Sequence, residues 1–298
     1  MYHVPVLLEE SINGLNINPN GIYVDATFGG GGHSKEILNR LSESGKLFAI
    51  DQDQDAHKNK IEDNRLKLIF GNFRYLKNYL DYYKITQVDG ILADLGISSY
   101  QVDEKGRGFS FRLGGNLDMR MNNNQTLTAS EILNTFDEER IYSIFKNYCD
   151  IYNPGKLCSA IVGYRKDKKF EDINLFIDLI SQFAPKQKEI KYYAQVFQAL
   201  RIAVNDEIGA LEDFLNSLKD IIKIGGRLSI ISYHSLEDLL VKNVVRYGQT
   251  KQVEEINLFG NSKSAFKAIS KKAITPDDKE INNNSRSKSA KLRIAEKI

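Results

Sequence analysis

The chain has 298 residues, of which 42% are hydrophobic and 27% are charged, and its formal net charge is +2. This composition is typical of a globular protein of about two domains, and no stretch approaches the ~18 uninterrupted apolar residues of a membrane span. Two cysteines and four scattered histidines provide no pair with metal-ligand spacing, so no bound metal is expected. The stretch "MYHVPVLLEESI" has no basic leader, and we expect a cytoplasmic chain without disulfides.

Residues 1–102 alternate between strand-like and helix-like segments. The strand-like runs are, in chain order, "GIYVDATF", "KLFAID", "LKLIFGNF" and "VDGILADLG". A helix-like segment, "SKEILNRLSES", separates the first two runs. Strand–helix–strand order at this spacing predicts a parallel α/β sheet, and these residues form the amino-terminal part of that domain.

The pattern then becomes helical over residues 103–200. The segments "ERIYSIFKNY" and "INLFIDLISQF" repeat apolar residues at the i, i+3, i+4 and i+7 positions of a helix. Thr135 and Glu138, at the start of the first segment, have the spacing of a capping box. Residues 201–298 return to the α/β pattern, with "RLSIISYHS" as the fifth strand. The prediction is therefore a helical insertion between the fourth and fifth strands of a parallel sheet.

Four consecutive glycines in "TFGGGGHS" lie between the first strand and a helix, so they form a βα turn. Glycines there permit positive φ and let a ligand approach the backbone. A Walker loop is excluded because no Gly-Lys-Ser/Thr follows, and the dinucleotide fingerprint is incomplete because Ser34 replaces its third glycine. Asp51 ends the second strand, where it can accept hydrogen bonds from both ribose hydroxyls of an adenosine-type ligand, and Phe73 can pack on the adenine. NAD, S-adenosylmethionine and a purely structural turn stay open as alternatives.

Asp94 lies at the carboxyl end of the fourth strand, in the polar turn "ADLGISSYQ". An enzyme that methylates an exocyclic amine needs a hydrogen-bond acceptor here, which turns the nitrogen lone pair toward the methyl group. The alternative is a turn residue, a common role for aspartate. His234 follows the fifth strand, where it can accept a proton, contact RNA or cap the next helix. His33, in the glycine turn, can pack its ring beside a ligand while its backbone N–H makes the contact.

Two basic segments suit a polyanionic partner. Residues 107–121 have no helical or strand periodicity and interleave three arginines with two phenylalanines: Arg107, Phe109, Phe111, Arg112 and Arg120. Arginines for phosphate and aromatic rings for a splayed base suit single-stranded RNA; a buried loop with internally paired arginines is the alternative. Residues 251–298 hold eleven Lys or Arg against six Asp or Glu, and within them the polar residues 273–290 predict a mobile segment.

Together these segments resemble the bacterial ribosomal RNA small-subunit methyltransferase H family, also called MraW. The resemblance runs nearly the whole length and rests on an ordered set of motifs: "HVPVLLEE" (3–10), "GIYVDATFGGGGHS" (21–34), "AIDQD" (49–53), "DGILADLGISSYQ" (89–101), "RGFSF" (107–111), "LDMRM" (117–121), "FQALRIAVNDE" (197–207), "GGRLSIISYHSLED" (225–238) and "SKSAKLRIAE" (287–296). It implies a Rossmann-like class I S-adenosylmethionine methyltransferase with an α-helical, RNA-recognising insertion. It also implies N4-methylation of a cytidine in the decoding region of 16S ribosomal RNA.

The resemblance assigns roles to individual residues as well. By position, the methyl donor S-adenosylmethionine would contact seven residues: Gly31, Gly32, His33, Asp51, Phe73, Asp94 and Gln101. The resemblance does not settle which residue acts on the amine; from their places after the fourth and fifth strands, Asp94 is our first choice and His234 our second. The arginines and phenylalanines of residues 107–121 would bind the RNA of the small ribosomal subunit, together with four residues of the basic tail: Arg286, Lys288, Lys291 and Arg293.

Three hypotheses follow for the activity: the cytidine methyltransferase, a non-catalytic RNA-binding factor with the same fold, and an NAD-dependent oxidoreductase, which Ser34 disfavours. Exposed insertion helices could also support a homodimer. The chain departs from the family pattern at Cys149-Asp150-Ile151, where relatives usually carry Gly-Glu-Glu, at Gln195, where an arginine is common, and in the segment before the tail. These departures concern RNA docking and leave the cofactor residues unchanged.

Overall fold

The computed structural model describes residues 5–251 and 264–298. The chain divides into two compact units, the first formed by Met1–Gly96 with Ile208–Ile298 and the second by Ile97–Glu207. The boundaries expected from the sequence lie a few residues away, after residues 102 and 200.

A seven-stranded sheet forms the frame of the first unit. Its strands are β1 (Ile22–Asp25), β2 (Lys46–Asp51), β3 (Leu66–Phe70), β4 (Val88–Asp94), β5 (Ile222–Ser232), β6 (Phe266–Ala268) and β7 (Lys291–Lys297). The order across the sheet is β3-β2-β1-β4-β5-β7-β6. Strands β1 to β5 run parallel, whereas β7 runs antiparallel to β5 and β6. The predicted Rossmann-like sheet with a helical insertion between β4 and β5 is confirmed.

Twelve α-helices are found among the described residues. They are α1 (Leu8–Leu15), α2 (Gly32–Arg40), α3 (Leu76–Tyr82), α4 (Ser99–Asp103), α5 (Ala129–Thr135), α6 (Glu138–Tyr148), α7 (Pro154–Tyr164), α8 (Ile173–Ser181), α9 (Glu189–Asn205), α10 (Glu207–Ile221), α11 (Ser235–Tyr247) and α12 (Asp278–Asn283). In the part of the chain that the structure describes, no helix combines the length and apolar character needed to cross a membrane.

The core of the first unit lies against the parallel strands. Val24, Ile91 and Ile230 are fully buried, as expected for central parallel strands that are covered on both faces. Helix α10 packs its apolar stripe, including Phe214 and Leu218, into the same cluster. Each such buried side chain stabilises the fold by roughly 1.5–3 kcal/mol. The packing holds the strand ends in fixed positions.

The second unit is helical and has its own core. All residues of 97–207 are described, and none belongs to a strand. Ile141, Phe176 and Phe197 lie in one buried cluster that joins α6, α8 and α9. The two helices predicted from apolar periodicity are α6 and α8.

The predicted cap of α6 is wrong. Asp137, not Thr135, caps this helix, because its side chain accepts the Arg140 N–H at 2.8 Å. The Thr135 hydroxyl instead donates to the Glu131 carbonyl at 2.8 Å, within α5. Thr135 and Asp137 both lie where a helix cap can form, and the sequence alone did not show which of them caps α6.

The expected mobile segment over residues 273–290 is also wrong. Asp277 caps α12 by accepting the Glu280 N–H at 2.7 Å, and Glu280 Oε1 accepts the Leu7 N–H at 2.8 Å. A 3-10 turn over Ser285–Ser289 then leads into β7. The polar composition reflects caps and turns rather than disorder.

Candidate active site

Three acidic residues and a tyrosine meet at the carboxyl edge of the sheet. Asp25 ends β1, Asp51 ends β2, Asp94 ends β4, and Tyr233 directly follows β5. The strand order reverses between β1 and β4, with β2 and β3 on one side and β5 on the other. Ligands of open α/β sheets bind at such a reversal. The edge at β1 and β4 is therefore the candidate site.

The glycine turn between β1 and α2 has open space at its tip. Gly29 and Gly31 adopt positive φ values of 51° and 76°. A Cβ placed on Gly30 would meet no atom within 4 Å. Gly29 N–H donates to Asp51 Oδ2 at 2.7 Å, which ties the turn to the end of β2. The turn thus leaves room for a ligand directly beside Asp51.

Packing inside the protein also requires two of these glycines. A Cβ on Gly31 would press against the ring of Phe28, and one on Gly32 would collide with the ring of Pro5. Gly31 and Gly32 therefore allow the turn to pack closely, and they leave their backbone near the ligand space.

Asp51 retains acceptor capacity although its carboxylate already has two partners. Oδ2 accepts the Gly29 N–H at 2.7 Å and Oδ1 accepts the Asp53 N–H at 2.8 Å. A carboxylate offers about four lone-pair positions, so two further donors can bind. Burial raises the pKa of Asp51 to about 6. The group fits the two hydroxyls of a ribose in its ionised form.

Phe73 lies in the turn after β3, the next strand beyond β2. It packs edge-on against Phe214, with 5.2 Å between the ring centroids, and is only partly buried. A partly exposed aromatic ring in this position fits the predicted contact with an adenine.

Asp94 is bonded to the strand ends on both sides of β4. Its N–H donates to the Thr27 hydroxyl at 2.6 Å, and its Oδ1 accepts the Tyr233 hydroxyl at 2.8 Å. The side chain is still 23% exposed, so a ligand can reach the carboxylate. Burial raises the pKa of Asp94 to about 7, although the Tyr233 hydrogen bond lowers it. Three nearby carboxyl groups raise it further: Asp25, Glu237 and Glu280.

A buried carboxyl group, that of Asp25, is connected to Asp94 through Thr27. Asp25 is fully buried and accepts the Ser34 hydroxyl at 2.6 Å and the Thr27 N–H at 3.1 Å. Burial raises the pKa of Asp25 to about 6. Satisfied buried networks of this kind are rigid. Thr27 therefore connects the glycine turn, Asp25 and Asp94 through hydrogen bonds.

The ring of His33 is buried, and its hydrogen bond is made within the protein. Nε2 lies 3.1 Å from the Val6 carbonyl oxygen, and Nδ1 lies 3.9 Å from Asp94 Oδ2. Burial lowers the pKa of His33 to about 4, so the ring is neutral near pH 7 and forms no ion pair with Asp94. A neutral ring facing a carbonyl oxygen donates from Nε2. What His33 offers a ligand is its backbone N–H in the first turn of α2.

His234 caps α11 and is not free to act as a base through Nδ1. This atom accepts the Glu237 N–H at 3.4 Å, while Glu237 Oε2 accepts the N–H groups of Tyr233 and His234 at 2.8 and 3.3 Å. His234 Nε2 lies 3.1 Å from Glu237 Oε1, but its direction is wrong for a hydrogen bond. The capping box fixes the backbone of Tyr233, whose ring reaches Asp94.

Gln101 belongs to the second unit, where it supports its own helix. Its Oε1 accepts the Ser98 N–H at 3.0 Å, and its N–H donates to the Ser98 hydroxyl at 3.2 Å. These two bonds form the capping box of α4. The predicted cofactor residue is therefore a buried capping residue in this structure.

Among the predicted RNA contacts of residues 107–121, the guanidinium groups of Arg107 and Arg120 bond within the second unit. Arg107 is buried and donates to the carbonyl oxygens of Arg120 and Met121, both at 3.0 Å. Arg120 forms a two-point ion pair with Asp118, at 2.8 and 2.7 Å. These contacts anchor the loop.

The remaining three residues of this loop differ in exposure. Phe109 is buried, and Phe111 packs edge-on against Phe197, with 5.7 Å between the ring centroids. Arg112 is exposed, with its guanidinium carbon 5.7 Å from the centre of the Phe111 ring. Arg112 is the most exposed of the three arginines of this loop.

The basic tail reaches the same sheet edge as Asp94 because β7 is antiparallel. Lys291, the first residue of β7, pairs with Ser232 at the carboxyl end of β5. Arg293 Nε lies 2.7 Å from Asp238 Oδ1, and Lys291 Nζ lies 3.5 Å from Asp238 Oδ2. Two further basic residues are exposed in the turn before β7: Arg286 and Lys288.

Two positions that we expect to depart from the family pattern, Asp150 and Gln195, contact each other. Gln195 Nε2 donates to the Asp150 carbonyl oxygen at 3.1 Å, just after α6. Cys149 Sγ lies 3.1 Å from the Phe145 carbonyl oxygen in the same turn. These contacts hold the turn after α6 together and join it to α9.

The structure adds three residues to the site that the sequence did not predict: Tyr233, Asp25 and Thr27. Each is a polar residue at or just beyond the carboxyl end of a parallel strand. The same rule had selected Asp51 and Asp94, so applying it to every strand would have found them.

The sequence of the chain matches one family of known proteins. Residues 1–298 match the model of the MraW methylase family. A protein of Bacteroides thetaiotaomicron named ribosomal RNA small subunit methyltransferase H is 51% identical, over 99% of this chain and 97% of that protein. The protein of this name from Cytophaga hutchinsonii is 52% identical over 100% of both chains. Among solved structures, an rRNA methylase from Streptococcus thermophilus covers 99% of each chain, with 13% identity and a TM-score of 0.43.

Proposed function

Because the chain belongs to the MraW methylase family, it is a methyltransferase, and we propose that it methylates the N4 amine of a cytidine in the decoding region of 16S ribosomal RNA. Relatives about half identical to it carry the name ribosomal RNA small subunit methyltransferase H. The family excludes both other hypotheses, the NAD-dependent oxidoreductase and the non-catalytic RNA-binding factor.

The proposed methyl donor is S-adenosylmethionine, and the residues at the sheet edge fit its parts. Asp51 has acceptor positions left for the two ribose hydroxyls, and Phe73 offers a ring to the adenine. The open tip of the glycine turn leaves space for the methionine part beside the backbone of Gly31, Gly32 and His33. When bound, this donor supplies a methyl group on a positively charged sulfur. Gln101, which lies in the other unit, stays a proposal from the resemblance alone.

The pair of Asp94 and Tyr233 is the observation that carries the proposed reaction. The Tyr233 hydroxyl holds Oδ1 of Asp94, so Oδ2 is left to accept a hydrogen bond from the substrate amine. Such an acceptor fixes the amine and turns its lone pair out of the plane of the base. The amine would take the methyl group as its bond to sulfur breaks, which would leave a neutral thioether; the nitrogen would then be cationic and would have to release one proton. A carboxylate with a pKa of about 7 can take that proton and return it to water.

His234 is better suited to positioning than to proton transfer. Its Nδ1 accepts a backbone N–H of α11, and taking a proton there would break the cap. The residue acts through Tyr233, whose backbone the same capping box holds. Asp94 therefore remains the proposed catalytic residue.

The proposed partner is the 16S ribosomal RNA of the small ribosomal subunit, which places the reaction in the cytoplasm. We assign RNA recognition to the helical unit, with Arg112 as the exposed arginine of its loop, and to the basic turn before β7. In that loop Phe109 and Phe111 support the backbone that carries Arg112. A homodimer through exposed insertion helices is a further expectation, and sedimentation analysis of the purified protein tests it.

Incubation with methyl-labelled S-adenosylmethionine and unmethylated small ribosomal subunits tests the function. Mass spectrometry of the digested RNA should show N4-methylcytidine at one position of the decoding region. A chain with Asp94→Ala provides the blank. Label found only in another base, or no label where a related enzyme works, would remove the proposal.

The pH dependence of turnover should report the ionisation of Asp94. Only the ionised carboxylate accepts the amine hydrogen, so kcat should rise with pH through about 7, the pKa of Asp94. The Tyr233 hydrogen bond lowers this pKa, so Tyr233→Phe should move the rise to higher pH. Steady-state rates between pH 5.5 and 9 measure the shift. Tyr82→Phe, at an exposed position on α3, serves as the control and should leave the profile in place.

A further inference from the structure

A cavity of about 230 Å³ lies beside Tyr233 at the carboxyl edge of the sheet, within the first unit. Its walls are residues 233–235, Thr275 and residues 288–291. We propose that this cavity binds a backbone phosphate of the RNA substrate, next to the nucleotide whose base is methylated. The inference rests on the proposed function, which says that the substrate is RNA, and adds where its backbone is held.

The walls of the cavity have the chemistry of an anion site. Two of its lining residues are lysines, Lys288 and Lys291, and three carry a hydroxyl group: Ser235, Thr275 and Ser289. None of the described residues that line it is a carboxylate. Ammonium and hydroxyl donors around a space without acidic groups favour phosphate over a cation or an apolar ligand.

The start of α11 adds backbone donors to the same wall. Ser235 is the first residue of this 13-residue helix, and the capping box uses the N–H of Glu237. The N–H groups ahead of Glu237 have no acceptor within the helix, and the helix dipole favours an anion there.

Four acidic groups lie near this wall, and each has a partner within the protein: Asp94 accepts the Tyr233 hydroxyl, Glu280 accepts the Leu7 N–H, and the other two are Glu237 and Asp238. Glu237 Oε2 accepts two backbone N–H groups, and Asp238 pairs with Arg293 at 2.7 and 3.1 Å. Both lysines of the wall are exposed, and Lys291 lies 3.5 Å from Asp238, so we assign the contact with a ligand to Lys288. The positive charge of Lys288 is then available to a phosphate.

The position of the cavity suits a nucleotide. Tyr233 forms part of its wall, and the hydroxyl of the same side chain donates to Asp94. The cavity and the proposed amine acceptor are thus separated by one tyrosine side chain. A phosphate held here would fix the register of the strand while Asp94 selects the base, the usual division between backbone and base contacts.

Two substitutions of Lys288 test the cavity against matched substitutions of Lys77, an exposed lysine on α3. Binding to unmethylated 16S ribosomal RNA is measured for Lys288→Ala, Lys288→Glu, Lys77→Ala and Lys77→Glu over a series of salt concentrations. Loss of one phosphate contact should reduce the slope of log affinity against log salt by about 1 in Lys288→Ala. With small ribosomal subunits as substrate, KM should rise about tenfold, and Lys288→Glu should weaken binding more. Calorimetric affinity for S-adenosylmethionine should equal that of the unchanged chain.

Binding and turnover separate the two proposals. The phosphate-site proposal is wrong if the Lys288 and Lys77 variants have equal salt-dependence slopes and equal KM values while the unchanged chain is active. If the unchanged chain makes no N4-methylcytidine but the salt slope of RNA binding falls only in the Lys288 variants, the proposed function is wrong and the phosphate site is supported.

Discussion

Replacing Asp94 by alanine should reduce kcat for methyl transfer by about 10²- to 10³-fold, the usual effect of removing one preorganised group that stabilises a transition state. The substitution removes the acceptor that aligns the amine and takes its proton. Donor affinity should stay measurable, because the proposed donor contacts at Asp51 and Phe73 lie at the ends of other strands. Single-turnover rates and calorimetric titration of the same preparation measure both effects.

Two further variants make this result specific. Asp94→Asn keeps an oxygen acceptor but cannot take a proton, so its rate should fall between those of the alanine variant and the unchanged chain and lose its rise near pH 7. Asp81→Ala removes an equal charge at an exposed position on α3 and should behave as the unchanged chain. Full turnover in Asp94→Ala would take this residue out of the mechanism.

Replacing Asp51 by alanine should weaken binding of S-adenosylmethionine by about 10- to 100-fold, as expected when hydrogen bonds to a charged group are lost. The carboxylate is proposed to hold the ribose, and it also holds Gly29 through a 2.7 Å hydrogen bond. The pKa of Asp51 is about 6, and the hydroxyl donors need its ionised form. Affinity in the unchanged chain should therefore fall as the pH drops below about 6, and this dependence should vanish in Asp51→Ala.

Calorimetric titration with S-adenosylhomocysteine at pH 5 and pH 8 measures both effects without turnover. Asp81→Ala is again the control for the lost charge. Equal affinities in Asp51→Ala and the unchanged chain at pH 8 would show that the ribose is held elsewhere.

The frame of the first unit was predictable because its strands are short, apolar and regularly spaced along the chain. Each of β1 to β5 is bounded by turn residues, and the order of strands and helices allows few topologies. Strand β7 was missed because "KLRIAEK" is rich in charge and reads as part of a tail. It is a strand because it pairs with β5 over six residues, and no local pattern contains that partner.

The predicted site shows the same limit. Asp51 and Asp94 could be found from their place after a strand, since that is a local property. The bond between Asp94 and Tyr233 joins residues 139 positions apart, so a single sequence does not reveal it. Arg107 illustrates the opposite case: its charge suggested an exposed RNA contact, but its guanidinium group bonds to backbone carbonyls inside the unit.

The hydrogen bond from the Asp94 N–H to the Thr27 hydroxyl has a consequence for the order of events. Thr27 also lies in the turn proposed to hold the donor. Both reactants would therefore bind to one hydrogen-bonded network, which the protein forms without either of them. Because the protein's own hydrogen bonds already form this network, either reactant can bind before the other is in place. The order in which the donor and the RNA bind then depends on how the RNA strand reaches the site. Steady-state kinetics need not show a compulsory order of binding.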